Sequence, residues 1–401
     1  MTAIDLSPHT ARARLAGLVR RSAYDDDRGV VEHYARAVWS CLVEPGDAVA
    51  GRLVGALGAA EALRAALDDG RAVDPATDLS RQQLAQARAR WRPRVGDASH
   101  PLRTAREARV RLVTPDDPEW PDALNDLGDH APLCLWVRGD PRLLPRDRPA
   151  VAFVGARAAT GYGEHVVMDW AAELAASGVT IVSGAAYGID GMAHRAALNA
   201  GGVTVAMLAG GVDRAYPAGH TELLARIAAH GVVASEVPCG SAPTKWRFLQ
   251  RNRSISALAQ ATVVVEAGWR SGSLNTAGHA AALGRPLGAV PGPITSGASA
   301  GCHRLLREFD ARCVTCVDDV RELLGLAVDG GAIGEDALAG PRTDERTRIL
   351  DALSARTART TDDVARRCGM STSQAEALLG LLILDGTVER GPSGWRRSPR
   401  R

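Results

Sequence analysis

The chain has 401 residues, 46% of them hydrophobic, and a formal net charge of +2, which predicts an ordinary globular protein of two or three domains. Its seven cysteines, an odd number scattered along the chain, do not form the pattern of a disulfide framework. No run approaches about 18 apolar residues, and the first residues lack the apolar core of a secretory signal, so we expect a cytoplasmic protein without a membrane span.

The N-terminal region, residues 1–105, is predicted to be a helical domain with a basic linker. Apolar residues recur at helical spacing, and Pro45 and Gly46 break the run. Nine arginines lie between residues 79 and 111; a solvated helix and linker is the simpler interpretation, and a phosphate-contacting surface is the alternative. The segment "VGALGAAEAL" weakly resembles a glycine hairpin that grips DNA backbone, and packing of small residues explains it as well.

The central region, residues 106–327, alternates short β-branched runs with amphipathic segments. The apolar runs are 151–155, 179–184, 203–211, 232–237, 262–268 and 287–292, and helical stretches between them include 161–177 and 219–230. Continuous apolar strands that alternate with helices predict a parallel sheet covered on both faces. The predicted fold class is therefore α/β, with an extended Rossmann-like, doubly wound sheet.

The strand-to-helix turns of this region are rich in glycine and serine. In such folds the ligand lies beyond the carboxyl ends of the strands, where helix N-termini expose N–H groups. Repetition across five turns, such as "VSGAAYGID" and "EAGWRSGSLNTAG", predicts an anion-binding rim. "VGARAATGYG" is not G-x-G-x-x-G, and no G-x-x-x-x-G-K-[ST] is present, so neither a dinucleotide cofactor nor triphosphate hydrolysis is expected. We predict no cofactor and no metal.

The stretch "TKWRFLQRNRS", residues 244–254, holds four positive charges beside two aromatic side chains, and it includes the only lysine of the chain. Cations that follow a backbone beside a flat aromatic ring are what single-stranded nucleic acid requires. The candidates are the cations Arg157, Lys245, Arg251 and Arg253 and the stacking faces Trp246 and Phe248.

Five motifs, in order, resemble the DNA-processing protein A family, also called Smf. They are "VAFVGARAATGYG", "IVSGAAYGIDGMAHRAAL", "VAMLAGGVDRAYP", "SEVP" followed by "FLQRNRSISALA", and "VVVEAGWRSGSLNTAGHA". The resemblance covers about residues 110–320 and implies a bacterial recombination mediator without enzymatic activity. Such a protein binds and protects single-stranded DNA, displaces single-strand-binding protein and loads RecA during natural transformation, and we expect a homodimer.

The resemblance implies DNA-binding roles for a defined set of residues. They are Gly155, Arg157, Ser183, Gly184, Lys245, Phe248, Arg251, Asn252, Arg253, Ser271, Gly272 and Ser273. Within the set, Arg157 would clamp a phosphate, Lys245 would act as a point charge and Phe248 as a base platform. For Arg251 and Arg253 the alternative is a pair of internal salt bridges near Glu236 or Glu266.

Two positions depart from the family pattern. Tyr187 stands where the family has a basic residue, so one phosphate contact is lost or is replaced by stacking. Leu249 stands where proline is common after the phenylalanine, which affects the course of the loop expected there.

Other combinations of residues suggest enzymes or metal sites. The alternative function is a Rossmann-like nucleotide-binding enzyme of the lysine-decarboxylase-like group, which cleaves nucleoside monophosphates, with Glu266 as the catalytic acid. That group's P-G-G-x-G-T-x-x-E signature is absent. Asp190 is interpreted as a helix N-cap and His194 as a packed helix residue, in preference to metal ligands. The cysteines of "CVTC", residues 313–316, are interpreted as packing.

The C-terminal region begins with a predicted linker at residues 328–343. Residues 344–401 read as three helices and a hairpin, with Ser371 and Gln374 as a capping box, which is a winged-helix pattern. The third helix contains no arginine or lysine and two acids, so base recognition by it is not expected. Phosphate contacts by Arg390, Arg396 and Arg397 of the wing, or contacts to a protein, are the alternatives.

Overall fold

The computed structural model describes residues 4–68, 75–95, 99–327 and 344–398. The chain divides into two compact units, Met1–Ala327 and Val328–Arg401. The predicted linker at 328–343 lies outside the described residues, and the boundary at residue 105 stays a prediction.

The N-terminal region is helical, as its periodicity predicts. Its helices are α1 (Pro8–Leu15), α2 (Asp27–Leu42), α3 (Ala48–Leu57), α4 (Ala59–Leu67), α5 (Arg81–Trp91) and α6 (Ser99–Glu107). Asp26 and Asp47 cap α2 and α3 by accepting hydrogen bonds from the first free N–H groups. Trp39 packs edge-on against Trp91, and this core continues without a break into Trp136 of the sheet.

Most arginines of the basic stretch that have a described partner bind this helical region itself. Arg90 pairs with Asp47, and Arg94 pairs with Glu44. Arg106 donates to three carbonyl oxygens at the end of α1. The arginines therefore neutralise local carboxylates and cover helix C-termini, which favours the structural interpretation over a continuous phosphate-contacting surface.

The glycine hairpin forms between α3 and α4, where Gly58 adopts a positive φ. The carboxylate of Glu32 accepts hydrogen bonds from the backbone N–H groups of Ala59 and Ala60, at 2.6 and 3.3 Å. A DNA-gripping hairpin would need these N–H groups for a phosphate. Because a carboxylate already occupies them, packing explains this segment better.

The predicted doubly wound sheet is confirmed. Its strands are β1 (Arg111–Val113), β2 (Leu135–Gly139), β3 (Ala150–Val154), β4 (Thr180–Ser183), β5 (Thr204–Met207), β6 (Val232–Ser235), β7 (Ala261–Val264), β8 (Leu287–Ala289) and β9 (Arg312–Cys313). The order across the sheet is β1-β2-β6-β5-β4-β3-β7-β8-β9. Strands β3 to β9 are parallel, whereas β1 and β2 add an antiparallel edge.

Helices cover both faces of this sheet. They are α7 (Gly161–Ala176), α8 (Ile189–Asn199), α9 (Thr221–His230), α10 (Lys245–Leu258), α11 (Ser273–Ala282), α12 (Ala300–Glu308) and α13 (Val317–Leu323). Alternation along β3 shows the two cores: Val151 and Phe153 pack toward α7 and α8, and Ala152 and Val154 pack toward α10 and α11. The strand order reverses between β3 and β7, which makes their carboxyl ends the topological switch point.

A buried charged cluster ties α2 to the loop that follows β1. His33 donates from Nδ1 to the carbonyl of Gly29 at 2.8 Å, and its Nε2 lies 3.1 Å from a carboxylate oxygen of Asp117. Both ring nitrogens thus face acceptors, so this geometry suits the imidazolium form. Burial opposes protonation of His33, but the hydrogen bond and charge of Asp117 outweigh it and raise the pKa of His33.

This cluster predicts a loss of stability at alkaline pH. A raised folded-state pKa stabilises the protein below the ordinary value of 6.5, and the contribution disappears as pH rises through the higher folded value. We expect the melting temperature to fall as the pH rises above the ordinary value of 6.5, and the His33→Gln variant, which cannot titrate, to show a flatter profile. Asp117 and Asp116 act on the ring, and Arg20 lies 3.4 Å from a carboxylate oxygen of Asp117. Identical profiles for both proteins would contradict the prediction.

The predicted winged-helix unit is also confirmed. It consists of α14 (Glu345–Ala352), α15 (Thr361–Cys368), α16 (Thr372–Leu384) and a hairpin of β10 (Val388–Gly391) and β11 (Gly394–Arg397). Ser371 and Gln374 form the expected capping box at the start of α16.

Candidate nucleic-acid interface

A groove of about 780 Å³ lies at the switch point of the sheet. The loop after β3, the loop after β7 and the first turns of α10 form its walls. Nine of the twelve predicted DNA-binding residues line it: Gly155, Arg157, Lys245, Phe248, Arg251, Asn252, Ser271, Gly272 and Ser273. Ser183, Gly184 and Arg253 do not.

The segment expected to be a loop around Leu249 is helical, which corrects that prediction. Thr244 caps α10 by accepting a hydrogen bond from the N–H of Arg247, and the helix continues from Lys245 to Leu258. Leucine at position 249 allows this, because it supplies an N–H and avoids the clash that proline causes inside a helix.

Helical geometry decides which side chains of α10 reach the groove. Lys245, Phe248, Leu249 and Asn252 are spaced at i, i+3, i+4 and i+7, and all four line it. Trp246 lies one position off this face; it is 55% exposed but does not line the groove. The structure thus keeps Phe248 as a candidate stacking side chain and separates Trp246 from the groove.

Three exposed cations on the groove wall have no carboxylate within ion-pair distance among the described residues. They are Arg157, Lys245 and Arg270, which come from three separate elements. Sequence analysis missed Arg270; its place directly before the glycine-serine turn "SGS" was the available signal. Cations without internal partners are free to neutralise phosphates, and two of the three flank the switch point.

Arg251 forms part of the groove floor and also holds the strand ends together. Its Nη1 donates to the carbonyl oxygens of Gly184 and Met207, each at 2.6 Å. A Cβ at position 184 would lie 2.2 Å from this nitrogen, so glycine is required there to admit the guanidinium. Burial lowers the pKa of Arg251 to about 10, so it remains charged at neutral pH.

Gly184 and Ser183 are buried and use their polar groups internally. The N–H of Gly184 donates to a carboxylate oxygen of Asp190, and its carbonyl accepts from Arg251. The hydroxyl of Ser183 donates to the carbonyl of Phe153 at 2.6 Å. This geometry favours a role in supporting the loops behind the groove, and the backbone cradle for DNA stays a prediction.

Arg253 is explained by the salt-bridge alternative. It is 3% exposed, and its two terminal nitrogens donate to both carboxylate oxygens of Glu236 at 2.6 and 2.7 Å. Its Nε donates to the carbonyl of His130. The geometry favours the structural interpretation, because these donors already connect α10 to the end of β6, and the DNA contact of Arg253 stays a prediction.

Asn252 and the serines of the loop after β7 form one supporting network. Asn252 donates to Asn275 Oδ1 at 3.1 Å, and the hydroxyls of Ser271 and Ser273 lie 2.7 Å apart. Ser273 is the first residue of α11, so the N-terminus of that helix borders the groove. This arrangement places a positive helix end beside the free cations.

An aromatic cluster lies within the groove. The ring of Phe248 is half-buried and lies 5.6 Å from the ring of Tyr216, centroid to centroid. The guanidinium groups of Arg157 and Arg251 lie 5.2 and 5.7 Å from the Phe248 centroid. Sequence analysis did not select Tyr216, which precedes a proline in a turn and gave no charge signal. Tyr187 packs edge-on against His220 and does not line the groove.

The residues considered for catalysis are engaged elsewhere. Glu266 is 2% exposed and accepts hydrogen bonds from the N–H and hydroxyl of Thr160, at 2.9 and 2.6 Å. Asp190 is not the N-cap of α8, which corrects that prediction; it accepts from the loop that precedes the helix. His194 is the packed helix residue expected, and burial lowers its pKa to about 3.

The cysteines of "CVTC" differ in their environment. Cys313 is exposed on β9, so the packing interpretation is wrong for it, and Cys316 caps α13. Among the described residues, no group of three or more His, Cys, Asp or Glu side chains is arranged to hold a metal ion. In the same part of the chain, every helix is too short or too polar to cross a membrane.

Comparisons with known proteins agree with this architecture. The family model for DNA recombination-mediator protein A matches residues 111–325, and that for the DprA winged helix domain matches residues 334–394. The chain is similar to the putative DNA processing protein DprA of Mycobacterium tuberculosis, with 49% identity over 71% of this chain and 76% of the relative. It is also similar to the protein Smf of Escherichia coli, with 36% identity over 71% and 77% of the two chains.

A solved structure shows the same likeness. The DNA processing protein A of Streptococcus pneumoniae superposes with a TM-score of 0.59 and 31% identity, covering 73% of this chain and 97% of that one. The first family model covers more than half of the chain, and the two relatives share identities of 49% and 36% over more than two thirds of their lengths. The chain therefore belongs to the DNA recombination-mediator protein A family, also named DprA or Smf.

Proposed function

We propose that this protein binds single-stranded DNA in the groove at the switch point. The observation that carries the proposal is a set of three exposed cations, Arg157, Lys245 and Arg270, around an aromatic cluster; among the described residues none of them has a carboxylate within ion-pair distance. The cations neutralise successive phosphates, and the aromatic rings stack on bases. The fixed charge of Arg251 and the N-terminus of α11 add to the attraction for phosphate.

The aromatic cluster favours a single strand over a duplex. In a duplex the faces of the bases are stacked on one another, so a ring in a groove reaches them only after unpairing and unstacking. In a single strand the faces are open, and stacking on an aromatic side chain is tolerant of sequence. We therefore infer a site that discriminates by strandedness and not by sequence.

Titration of fluorescent oligonucleotides tests this function. We expect the single strand to bind more tightly than the duplex of the same sequence, in a salt-dependent way, without added nucleotide or divalent metal. Equal or tighter binding of the duplex would contradict the proposal. Loss of binding after addition of a chelator would contradict the metal-independent part of it.

We base the proposed cellular role of this DNA binding on membership of the family. Within the proposal, the bound strand is protected, single-strand-binding protein is displaced, and RecA is loaded onto the strand in the cytoplasm during natural transformation, by a homodimer. A strand-exchange reaction with RecA and DNA coated by single-strand-binding protein measures this step. If the protein binds single strands but does not shorten the lag of that reaction, the proposed DNA binding is supported and the proposed RecA loading is contradicted.

An enzymatic alternative has less support. Cleavage of nucleoside monophosphates would need a carboxylate directed at the groove, and Glu266 instead is buried and bound by Thr160. Incubation with nucleoside monophosphates, followed by detection of free base, distinguishes the two functions. Base release that disappears in the Glu266→Gln variant would favour the enzyme.

The winged unit predicts a small effect on binding. Its third helix, α16, carries no arginine or lysine and exposes Leu381 and Leu384, and Arg396 of the wing pairs with Glu389. Removal of residues 344–401 is expected to leave the affinity for single-stranded DNA within a few-fold of the full chain. A loss of about a hundredfold, which is the size expected for several phosphate contacts, would show that the winged unit is a main DNA site.

A further inference from the structure

Surrounding groups limit the access of a base to Phe248, the aromatic residue that the family pattern selects. The guanidinium groups of Arg157 and Arg251 both lie over its ring, at 5.2 and 5.7 Å from the centroid, and Tyr216 packs against it at 5.6 Å with an interplanar angle of 53°. Stacking requires an open ring face. A base that stacked on a ring face of Phe248 covered by a guanidinium would first have to displace a cation–π contact.

The exposed ring of this cluster belongs to Tyr216. Its side chain is 48% exposed and lines the groove together with the three free cations. Within the described part of the chain its hydroxyl has no hydrogen-bond partner, and its ring packs against that of Phe248. Tyr216 therefore offers an apolar face at the position where a strand held by Arg157, Lys245 and Arg270 would place a base.

The turn that carries Tyr216 is anchored. It follows β5 and continues into the short helical turn Ala218–His220. His220 is buried, and its Nδ1 donates to the carbonyl of Ala185 in the neighbouring turn at 3.0 Å. The ring is thus held between this anchor and Phe248 before any ligand binds, which lowers the entropy lost on stacking.

We propose that Tyr216 supplies the ring on which a base of the bound strand stacks, and that Phe248 is the positioning residue behind it. This rests on the proposed function, because a stacking partner is needed only if the groove holds a nucleic acid. It changes the assignment of the base platform from α10 to the turn after β5. Phe248 orients Tyr216 and, through its contacts with Arg157 and Arg251, also holds two cations of the groove in place.

The test compares an oligo-dT with an abasic oligonucleotide of equal length, which keeps the phosphates and lacks the bases. Tyr216→Ala is expected to weaken binding of oligo-dT by about 5- to 150-fold, with little change for the abasic strand and no change in the salt slope. Tyr216→Phe keeps the ring and should bind like the wild type. Phe309→Ala is the matched control, since Phe309 is 37% exposed, lies outside the groove lining and does not contact the turn that carries Tyr216, and it should bind normally.

Three outcomes in the variants would overturn the inference. One is a Tyr216→Ala variant that keeps the wild-type preference for oligo-dT over the abasic strand. Another is an equal loss in Phe309→Ala. The third is a larger loss of this preference in Phe248→Ala than in Tyr216→Ala, in variants with matching melting curves. If the wild type binds both oligonucleotides equally, only this inference fails; if it binds neither, the proposed function fails.

Discussion

Replacing Arg157, Lys245 and Arg270 together by alanine is expected to weaken binding of single-stranded DNA about a hundredfold at about 0.1 M salt. Each lost phosphate contact on a single strand lowers the slope of log affinity against log salt concentration by about 0.7, so three lost contacts lower it by about 2. Between about 1 M salt, where these contacts contribute little, and about 0.1 M, this change corresponds to about a hundredfold in affinity. Each of the three side chains is exposed and has no carboxylate to leave behind, so the melting temperature should stay near that of the wild type.

A matched variant separates local contacts from net charge. The matched variant replaces three other arginines by alanine: Arg52, Arg142 and Arg321. Each of them pairs with a carboxylate, and none lines the groove. This control loses the same formal charge and should keep the wild-type salt slope. A control that loses as much affinity as the groove variant would mean that long-range charge, and not this groove, governs binding.

Replacing Arg253 by alanine is expected to cost about 3–5 kcal/mol of folding stability. The change leaves the carboxylate of Glu236 buried, at 9% exposure, without its cation. Denaturant unfolding measures the cost, and Arg52→Ala, which breaks an exposed pair with Asp129, should cost only about 0–1 kcal/mol. A double change to Arg253→Met and Glu236→Leu should recover part of the loss, because no unpaired charge remains inside.

The same variant decides between the two interpretations of Arg253. If it is a structural residue, the Arg253→Ala protein that remains folded at low temperature should bind single strands with an unchanged salt slope. A normal melting curve combined with a salt slope lowered by about 0.7 would indicate that Arg253 contacts a phosphate.

Local sequence patterns were sufficient to predict the architecture. The alternation of apolar runs with amphipathic segments between residues 151 and 292 predicts a parallel sheet, and the strands lie where those runs do. The turns rich in glycine and serine lie at the carboxyl ends of the strands, because a parallel sheet brings all such turns to one edge. The capping box at Ser371 likewise predicts the start of a helix from four residues.

The tertiary structure decided which of the basic and aromatic residues are free to bind. Arg253 and Arg270 have the same formal charge, but Glu236, 17 residues from Arg253, lies against its guanidinium. In the part of the chain that the structure describes, no carboxylate pairs with Arg270. Likewise Arg247 on α10 pairs with Glu44, 203 residues away in the chain. Phe248 and Tyr216 are 32 positions apart and meet only in the fold. Periodicity and turn chemistry act over a few neighbouring residues, so the sequence alone determined the elements and the edge at which the groove lies. The availability of a charge or a ring depends on partners distant in the chain, and only folding sets those contacts.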